Sequence, residues 1–372
     1  MRIALLHPTY WPEVLRGSER IVHDLGSELA TRGHEVTLIT SHPGRATESE
    51  EDGMRVIRAR RPPRLPGAGV YEHHIANAPN VARRLRNGRF EVVHAFFPVD
   101  SWVAVQRRIR GGPPVVATLH GIPTRQYLVA RRYRLQMLLE VAARADACTV
   151  LSEAAARPFR DYLLRDPLVV PPGVQAGRYA SPEPRSSRPT IVCAASLGDP
   201  RKRGSLLADA FALLRSRVPE VRMLVLRGRD PILSRGGIIL PEGAEWLEPV
   251  HRPEELAPIY ASAWASVLPS FEEAFGVVLT ESLAAGTPVV ADRTGAGPEI
   301  VTDERIGRLF EGDGDRARED LARALVEALE LGARPETADL CRSHAAGWDW
   351  GRVVAGYEAV YHSVIGLASS GR

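Results

Sequence analysis

Two glutamates, Glu273 and Glu281, stand with seven residues between them in the stretch PSFEEAFGVVLTESLAAGTPVVADRTGAGPEIV, residues 269–301. Ionised carboxylates accept hydrogen bonds from hydroxyls. The apolar run Ala265 to Leu268 reads as a short buried strand, and Ser270 to Ala274 as a loop. Apolar residues at helical spacing predict a helix over Phe275 to Ala285, stopped at Gly286 by a left-handed cap. Val289 to Ala291 then reads as a second strand. In such a strand–helix–strand unit, ligands bind outside the carboxyl ends of the strands. Glu281 lies roughly a turn and a half into the helix, and helical side chains tilt toward the N-terminus, so it points back toward the mouth that holds Glu273. Between the acids, around Phe275 and Gly276, free backbone N–H groups and the positive end of the helix dipole form an anion site. A ligand with hydroxyls on both sides of a central anion fits, and a nucleotide sugar has that layout. Glu273 would then accept from hydroxyls of the sugar and Glu281 from the ribose. Spacing alone also admits two solvated acids at a helix start, where the dipole favours them.

A second candidate lies upstream. Thr190 to Ala195 reads as a strand, Ser196 to Gly204 as a loop and Ser205 to Arg217 as a helix. Arg201, Lys202 and Arg203 fall just before the helix N-terminus, where point charge and helix amides together suit a diphosphate. Lys202 is the chain's one lysine against 47 arginines. An exposed basic loop is the plainer alternative.

The N-terminal half repeats the strand–loop–helix grammar. Arg2 to Leu6 reads as a strand, and Arg20 to Arg32 as a helix with Ile21, Val22, Leu25 and Leu29 on one face. Gly17, at the bend between them, would let backbone approach a phosphate or simply make a turn. Strands follow at Glu35 to Thr40, Met54 to Arg58, Val115 to Leu119 and Ala147 to Leu151. His120 ends the Val115 to Leu119 strand, where ligands bind, and can donate to a hydroxyl or take part in proton movement. Residues 60–70 read as a loop, Arg125 to Glu140 as one arginine-rich amphipathic helix, and the Pro- and Ser-rich stretch Gln175 to Arg188 as an interdomain linker.

At 372 residues the chain suits two domains, and 44% hydrophobic with 25% charged residues is ordinary for a globular protein. The three cysteines, Cys148, Cys193 and Cys341, are in no metal-ligand spacing and read as reduced thiols of a cytoplasmic protein. No apolar run approaches a membrane span. Charge is uneven: residues 1–180 hold 26 arginines against 17 acids, a balance of +9, and the remainder holds 22 basic and 28 acidic residues, a balance of −6. A basic half implies an anionic partner. The arginines of Asn80 to Phe90 and Arg107 to Arg110 lack aromatic interleaving, which argues against nucleic acid. Peripheral contact with anionic lipid and a solvated helix face are the remaining readings.

Glu273-Ala-Phe-Gly276 followed by Glu281, with the run Glu281 to Ala291, resembles the E-x7-E signature of retaining GT-B glycosyltransferases, in particular glycosyltransferase family 4. Most members carry glycine at Ala274, a difference that narrows the sugar pocket. Gly17 with Glu19 resembles the family's N-terminal G-G-x-E element, with Arg16 in place of the first glycine. His120-Gly121 resembles its strand–His–Gly element, which faces the transferred sugar. Lys202 matches the lysine that holds the leaving diphosphate, while Ser196 stands where an arginine is usual; Arg201 or Arg203 would take its place. Val250 and His251 resemble the loop that reads the nucleotide base, and Trp348 to Tyr361 the last helix, which crosses back to the first domain.

The resemblance implies an α/β chain of GT-B class, two Rossmann-like domains facing across a cleft. The acceptor-side domain would span 1–180 with helix 352–372 crossing back onto it, and the donor domain 189–351. The implied reaction moves a hexosyl group from a UDP- or GDP-linked nucleotide sugar to an acceptor hydroxyl, with retention as an α-glycoside. Lys202 would stabilise the departing phosphate, Glu273 would orient the sugar, and no cofactor and no metal would be required. A nucleotide-sugar 2-epimerase of the same architecture and a nonenzymatic sugar-nucleotide-binding protein are the alternatives.

Overall fold

Alternation of short apolar strands with amphipathic helices produces two parallel sheets in the computed structural model, which describes residues 1–11, 13–14, 16–63, 74–228, 238–250 and 252–370. The chain divides into two units, Met1–Pro171 with Trp350–Arg372, and Pro172–Asp349.

The first unit holds β1 (Arg2–Leu6), β2 (Glu35–His42), β3 (Thr47–Glu51), β4 (Met54–Arg60), β5 (Val92–Ala95), β6 (Val115–Leu119), β7 (Ala147–Val150) and β8 (Leu168–Val169). Their order is β3-β4-β2-β1-β5-β6-β7-β8. All pairings are parallel except β3 with β4, which join antiparallel through a turn at Asp52 and Gly53. The central strands β5, β6 and β7 are buried along their whole length, as strands covered by helices on both faces must be. The final helix, Trp350–Ser370, packs into this unit. Tyr357 and Tyr361 are fully buried, Tyr361 Oη shares a hydrogen bond with His94 Nδ1 at 2.7 Å, and Arg32 pairs with Glu358 at 2.7 Å.

The second unit holds β9 (Thr190–Cys193), β10 (Arg222–Leu226), β11 (Ala244–Leu247), β12 (Ala265–Leu268), β13 (Val289–Asp292) and β14 (Gly307–Phe310). The order is β11-β10-β9-β12-β13-β14, parallel throughout. Strand order reverses between β9 and β12 here, and between β1 and β5 in the first sheet. These switch points are where carboxyl-end loops diverge and leave a crevice.

Several expectations shift. The stretch 175–188 is no free linker. It belongs to the second unit, where Arg178 Nε donates to Glu254 at 2.6 Å and Arg185 donates to Gly286 O at 2.7 Å and Thr287 Oγ1 at 3.0 Å. The boundary therefore falls at Pro171, earlier than residue 180. The segment read as one helix over 125–140 is two, Arg125–Val129 and Arg132–Arg144. Thr124 caps the first, accepting from Tyr127 N, and the chain turns through an extended Arg131. Arg134 then folds back over the Tyr127 ring, 4.4 Å from its centroid, and donates to Tyr127 O at 2.8 Å. The loop expected at 60–70 lies mostly outside the described residues. Among the described residues, no helix is long and apolar enough to cross a membrane.

Candidate active site

In the second unit, the loops that leave β9 and β12 are joined by backbone, Phe271 N donating to Arg201 O at 2.9 Å. Lys202 and Glu273 project from these two loops, 71 residues apart in sequence, and their ammonium and carboxylate form an ion pair. Both side chains are about four-fifths covered, at 20% and 22% exposure. Burial alone would raise the Glu273 carboxyl, but the charge and hydrogen bond of Lys202 outweigh it and hold the group below the ordinary carboxylate range. It is therefore ionised at neutral pH.

The remainder of the β12 loop is fixed by backbone. Glu273 bridges to Gly295, and Ala296 N donates to Glu273 O at 2.9 Å. A Cβ on Gly295, at φ +67°, would collide with the Glu273 backbone, so the approach requires glycine. The helix begins at Val277, two residues later than the sequence predicts. Gly276 takes a left-handed conformation, φ +89°, and acts as N-cap, while Phe275 is buried with its ring 6.3 Å from Trp348. The first amides of the Val277–Ala284 helix consequently follow directly on the Glu273 loop. Ala274 is buried beside it.

Glu281, five residues into the helix, is 1% exposed and accepts from Tyr260 Oη at 3.3 Å. Of the three neighbouring cations, Lys202 meets Glu273. Arg201 pairs with Asp199 at 2.6 Å, and Arg203 is bound to Asp292, Pro269 O and Gly312 O. Val250 is half-buried after β11, where Arg227 lies over Trp246 at 6.0 Å; His251 lies outside the described residues.

The first unit places His7, Phe96 and His120 at the carboxyl ends of β1, β5 and β6. The His120 ring is 5.2 Å from Phe96 and 6.4 Å from His7, and among the described residues neither of its nitrogens has a hydrogen-bond partner. Burial, then the neighbouring His7, pushes His120 down to about 3. It is a neutral imidazole at pH 7, with one N–H donor and one lone pair. Gly17 opens the Gly17–Thr31 helix, and a Cβ at this position would meet nothing within 4 Å. Glu19 is 1% exposed and takes hydrogen bonds from Thr9 Oγ1 at 2.7 Å, Ser18 Oγ at 2.8 Å and Arg16 Nη2 at 2.7 Å. Burial would raise it, but Arg16 and the other donors hold it down at about 2. Arg16, the residue in place of a glycine, is thus the counterion of a buried acid.

Residues 15–178 match the model of Glycosyltransferase Family 4 and residues 188–330 that of Glycosyl transferases group 1. The chain belongs to glycosyltransferase family 4. It is 27% identical to phosphatidyl-myo-inositol mannosyltransferase of Propionibacterium freudenreichii subsp. shermanii, over 97% of this chain and 94% of that protein. It is 29% identical to D-inositol 3-phosphate glycosyltransferase of Actinosynnema mirum, over 93% and 91%. Among solved structures, sucrose-phosphate synthase from Thermosynechococcus elongatus matches with a TM-score of 0.81 at 20% identity, covering 98% of this chain and 99% of that one. Anabaena HepE in complex with UDP-glucose matches at 0.75 and 16%, covering 98% and 100%. The fold is GT-B, and the chain is a glycosyltransferase.

Sequence reasoning missed some residues that shape this glycosyltransferase's site. Asp292 and Thr294 organise the β13 end, and Tyr260 meets Glu281. A Ser, Thr or Asp near a strand end is common, and nothing local marks which distant loop it binds.

Proposed function

We propose that the enzyme transfers a hexosyl group from a UDP- or GDP-linked sugar to an acceptor hydroxyl with retention at the anomeric carbon. The observation that carries this is the meeting of Lys202 and Glu273 beside the first amides of a helix, at the switch point of the second sheet. Cation and helix amides receive the diphosphate, and the adjacent carboxylate accepts from sugar hydroxyls. In this reading the donor's phosphate draws the Lys202 ammonium and its sugar draws Glu273, so the ion pair is exchanged for two ligand contacts. Lys202 then stabilises the charge that develops as the glycosidic bond breaks. A phosphate oxygen of the leaving group takes the acceptor's proton. Glu281 with Tyr260 lies on the ribose side, Val250 and His251 on the base side, and Gly17 approaches the diphosphate by backbone. His120, neutral, donates to a sugar hydroxyl. The amides of Phe275 and Gly276 and Arg201 complete the diphosphate's surroundings, so that no metal is required.

HepE is described in complex with UDP-glucose and a starch synthase with ADP and acarbose, which supports a nucleotide-sugar donor. Relatives named for inositol phosphate and phosphatidyl-myo-inositol support a hydroxyl acceptor of the inositol class. That the named relatives are glycosyltransferases favours transfer over 2-epimerisation or binding alone. Exposed Arg83, Arg86 and Arg89 would serve contact with an anionic lipid surface, readable by co-sedimentation with phosphatidylglycerol vesicles.

The test is to incubate purified protein with UDP- and GDP-linked glucose and mannose, with and without D-inositol 3-phosphate or phosphatidylinositol. Acceptor-dependent release of nucleoside diphosphate, with an α-linked product by NMR, is expected. Epimer formed without acceptor, or binding without turnover, would sink the proposal.

A further inference from the structure

Arg203 follows Lys202 directly and starts the Gly204–Arg217 helix in a left-handed conformation, φ 45°, that non-glycine residues seldom hold. Three of its five guanidinium N–H donors are used, each in a different direction. Nε donates to Pro269 O at 2.6 Å, at the end of β12; Nη1 donates to Gly312 O at 2.8 Å, after β14; Nη2 pairs with Asp292, at the end of β13. The rings of Phe271 and Phe310 lie 5.7 and 5.5 Å from its central carbon.

The bonds continue past Asp292, whose side chain is 1% exposed. Its Oδ1 accepts from Thr294 N at 2.5 Å and from the Thr294 hydroxyl. That hydroxyl oxygen accepts in turn from Glu272 N at 3.1 Å. Glu272 is itself left-handed, φ 48°, and precedes Glu273. One chain of bonds therefore leaves the residue after Lys202 and arrives at the residue before Glu273, with an unusual backbone conformation at each end. Such conformations persist where the surroundings over-determine them, and they gather at functional sites.

We propose that Arg203 is a positioning residue: through Asp292, Thr294 and Glu272 it fixes where the Lys202 ammonium and the Glu273 carboxylate stand, and it does not bind the donor diphosphate. This rests on the reading that Lys202 and Glu273 hold the donor. It departs from the sequence expectation, in which Arg203 was one of three diphosphate ligands. A guanidinium divided among three strand ends and flanked by phenyl rings serves the loops rather than a ligand.

Arg203→Lys, Arg203→Met, Asp292→Asn and the Arg203→Met/Asp292→Asn double variant would be compared for kcat with the sugar nucleotide the wild type turns over, and for UDP and GDP affinity by calorimetry. Arg203→Lys keeps the charge and loses the fork. The expectation is a fall in kcat of about 10²-fold in each single variant, since small misplacements of reacting groups cost that much. The nucleoside diphosphate Kd should stay within about 3-fold, and the double variant should be no worse than either single, as members of one network are non-additive. A Kd raised about 10-fold or more in Arg203→Met, with Asp292→Asn like wild type, would make Arg203 a ligand and overturn the proposal. So would wild-type kcat in Asp292→Asn. If the wild type binds neither UDP nor GDP, the donor reading fails instead. The positioning claim is then read from a crystal structure of Asp292→Asn: separation of Lys202 from Glu273 supports it, and an unchanged pair overturns it.

Discussion

Each unit carries a cation–carboxylate pair beside the switch point of its sheet, and the two pairs are built differently. Arg16 and Glu19 are three residues apart, around the start of one helix. Glu19 is saturated by Thr9, Ser18 and Arg16 and almost fully covered. Lys202 and Glu273 are 71 residues apart and come from separate loops, each about one-fifth exposed. A buried acid with its hydrogen-bond capacity filled is a structural fixture, because unpairing it would leave a charge in low dielectric. A pair at the edge of solvent can trade partners at small cost, which is what a ligand site needs. The carboxylate able to exchange its partner for a ligand is the less buried one, and its pair is assembled by the fold rather than by local sequence.

Breaking the first pair should produce the largest effect. Glu19→Ala leaves the Arg16, Thr9 and Ser18 donors without their acceptor, and should cost about 3 kcal/mol of stability, read as a lowered denaturant midpoint. The same acid sets a pH signature. Its folded value, about 2, lies below the unfolded value of about 4.3. Its stabilisation is thus present above about pH 4.3 and is lost as pH falls toward 2. Glu19→Gln should flatten the wild-type decline in stability over that window, measured by urea unfolding; an unchanged slope would remove Glu19 from the account.

Breaking the second pair should leave stability nearly intact and strike turnover. Lys202→Ala is expected to lower kcat by about 10²-fold or more, the scale of losing one stabiliser of a developing oxyanion. Its denaturant midpoint should move by less than that of Glu19→Ala. Near-normal turnover would exclude Lys202 from the reaction.

A second buried acid, shifted the other way, sharpens the contrast within the first unit. Asp100, in the helix after β5, is fully buried, and among the described residues neither carboxyl oxygen has a hydrogen-bond partner. Burial, only partly opposed by Asn77, pushes it up to about 8. A raised acid favours the folded state at low pH and loses that contribution as pH rises from about 4, its unfolded value, through 8. Asp100→Asn should therefore gain stability relative to wild type steadily as pH rises from 4 to 8, and be similar to it at pH 4. Equal stability at both pH values would mean that the carboxyl is not neutral in the folded protein.

Much of the fold was legible where burial follows a short period. β1, β6, β9, β12 and β13 are built mainly of Val, Ile, Leu and Ala, and they fall where those apolar runs predict. β3 was missed because Thr47–Glu51 carries no apolar residue; it is held by antiparallel pairing to β4. β5 and β14 were missed because His94 and Arg308 interrupt their apolar runs. The helices Pro98–Ile109 and Thr337–Ala345 also escaped notice. In the site, Lys202 and Glu273 could be named from their types and loop positions. Their direct contact could not, nor could the capture of Arg203 by Asp292, since an arginine beside a lysine in a basic loop carries the same local signal whether it meets a phosphate or a carboxylate.

By itself the chain of residue types determined two α/β halves, the loops that bear chemistry and the helix start between Glu273 and Glu281, because apolar periodicity and glycine placement act over a few neighbouring residues. Only the tertiary structure decided which charges meet. Placing β9 beside β12 brings together loops that 71 residues separate, and the pairing of Lys202 with Glu273, the locking of Arg203 and the covering of Glu281 all follow from that strand order. Strand order is set by how the whole sheet buries its two faces, a property no single segment carries.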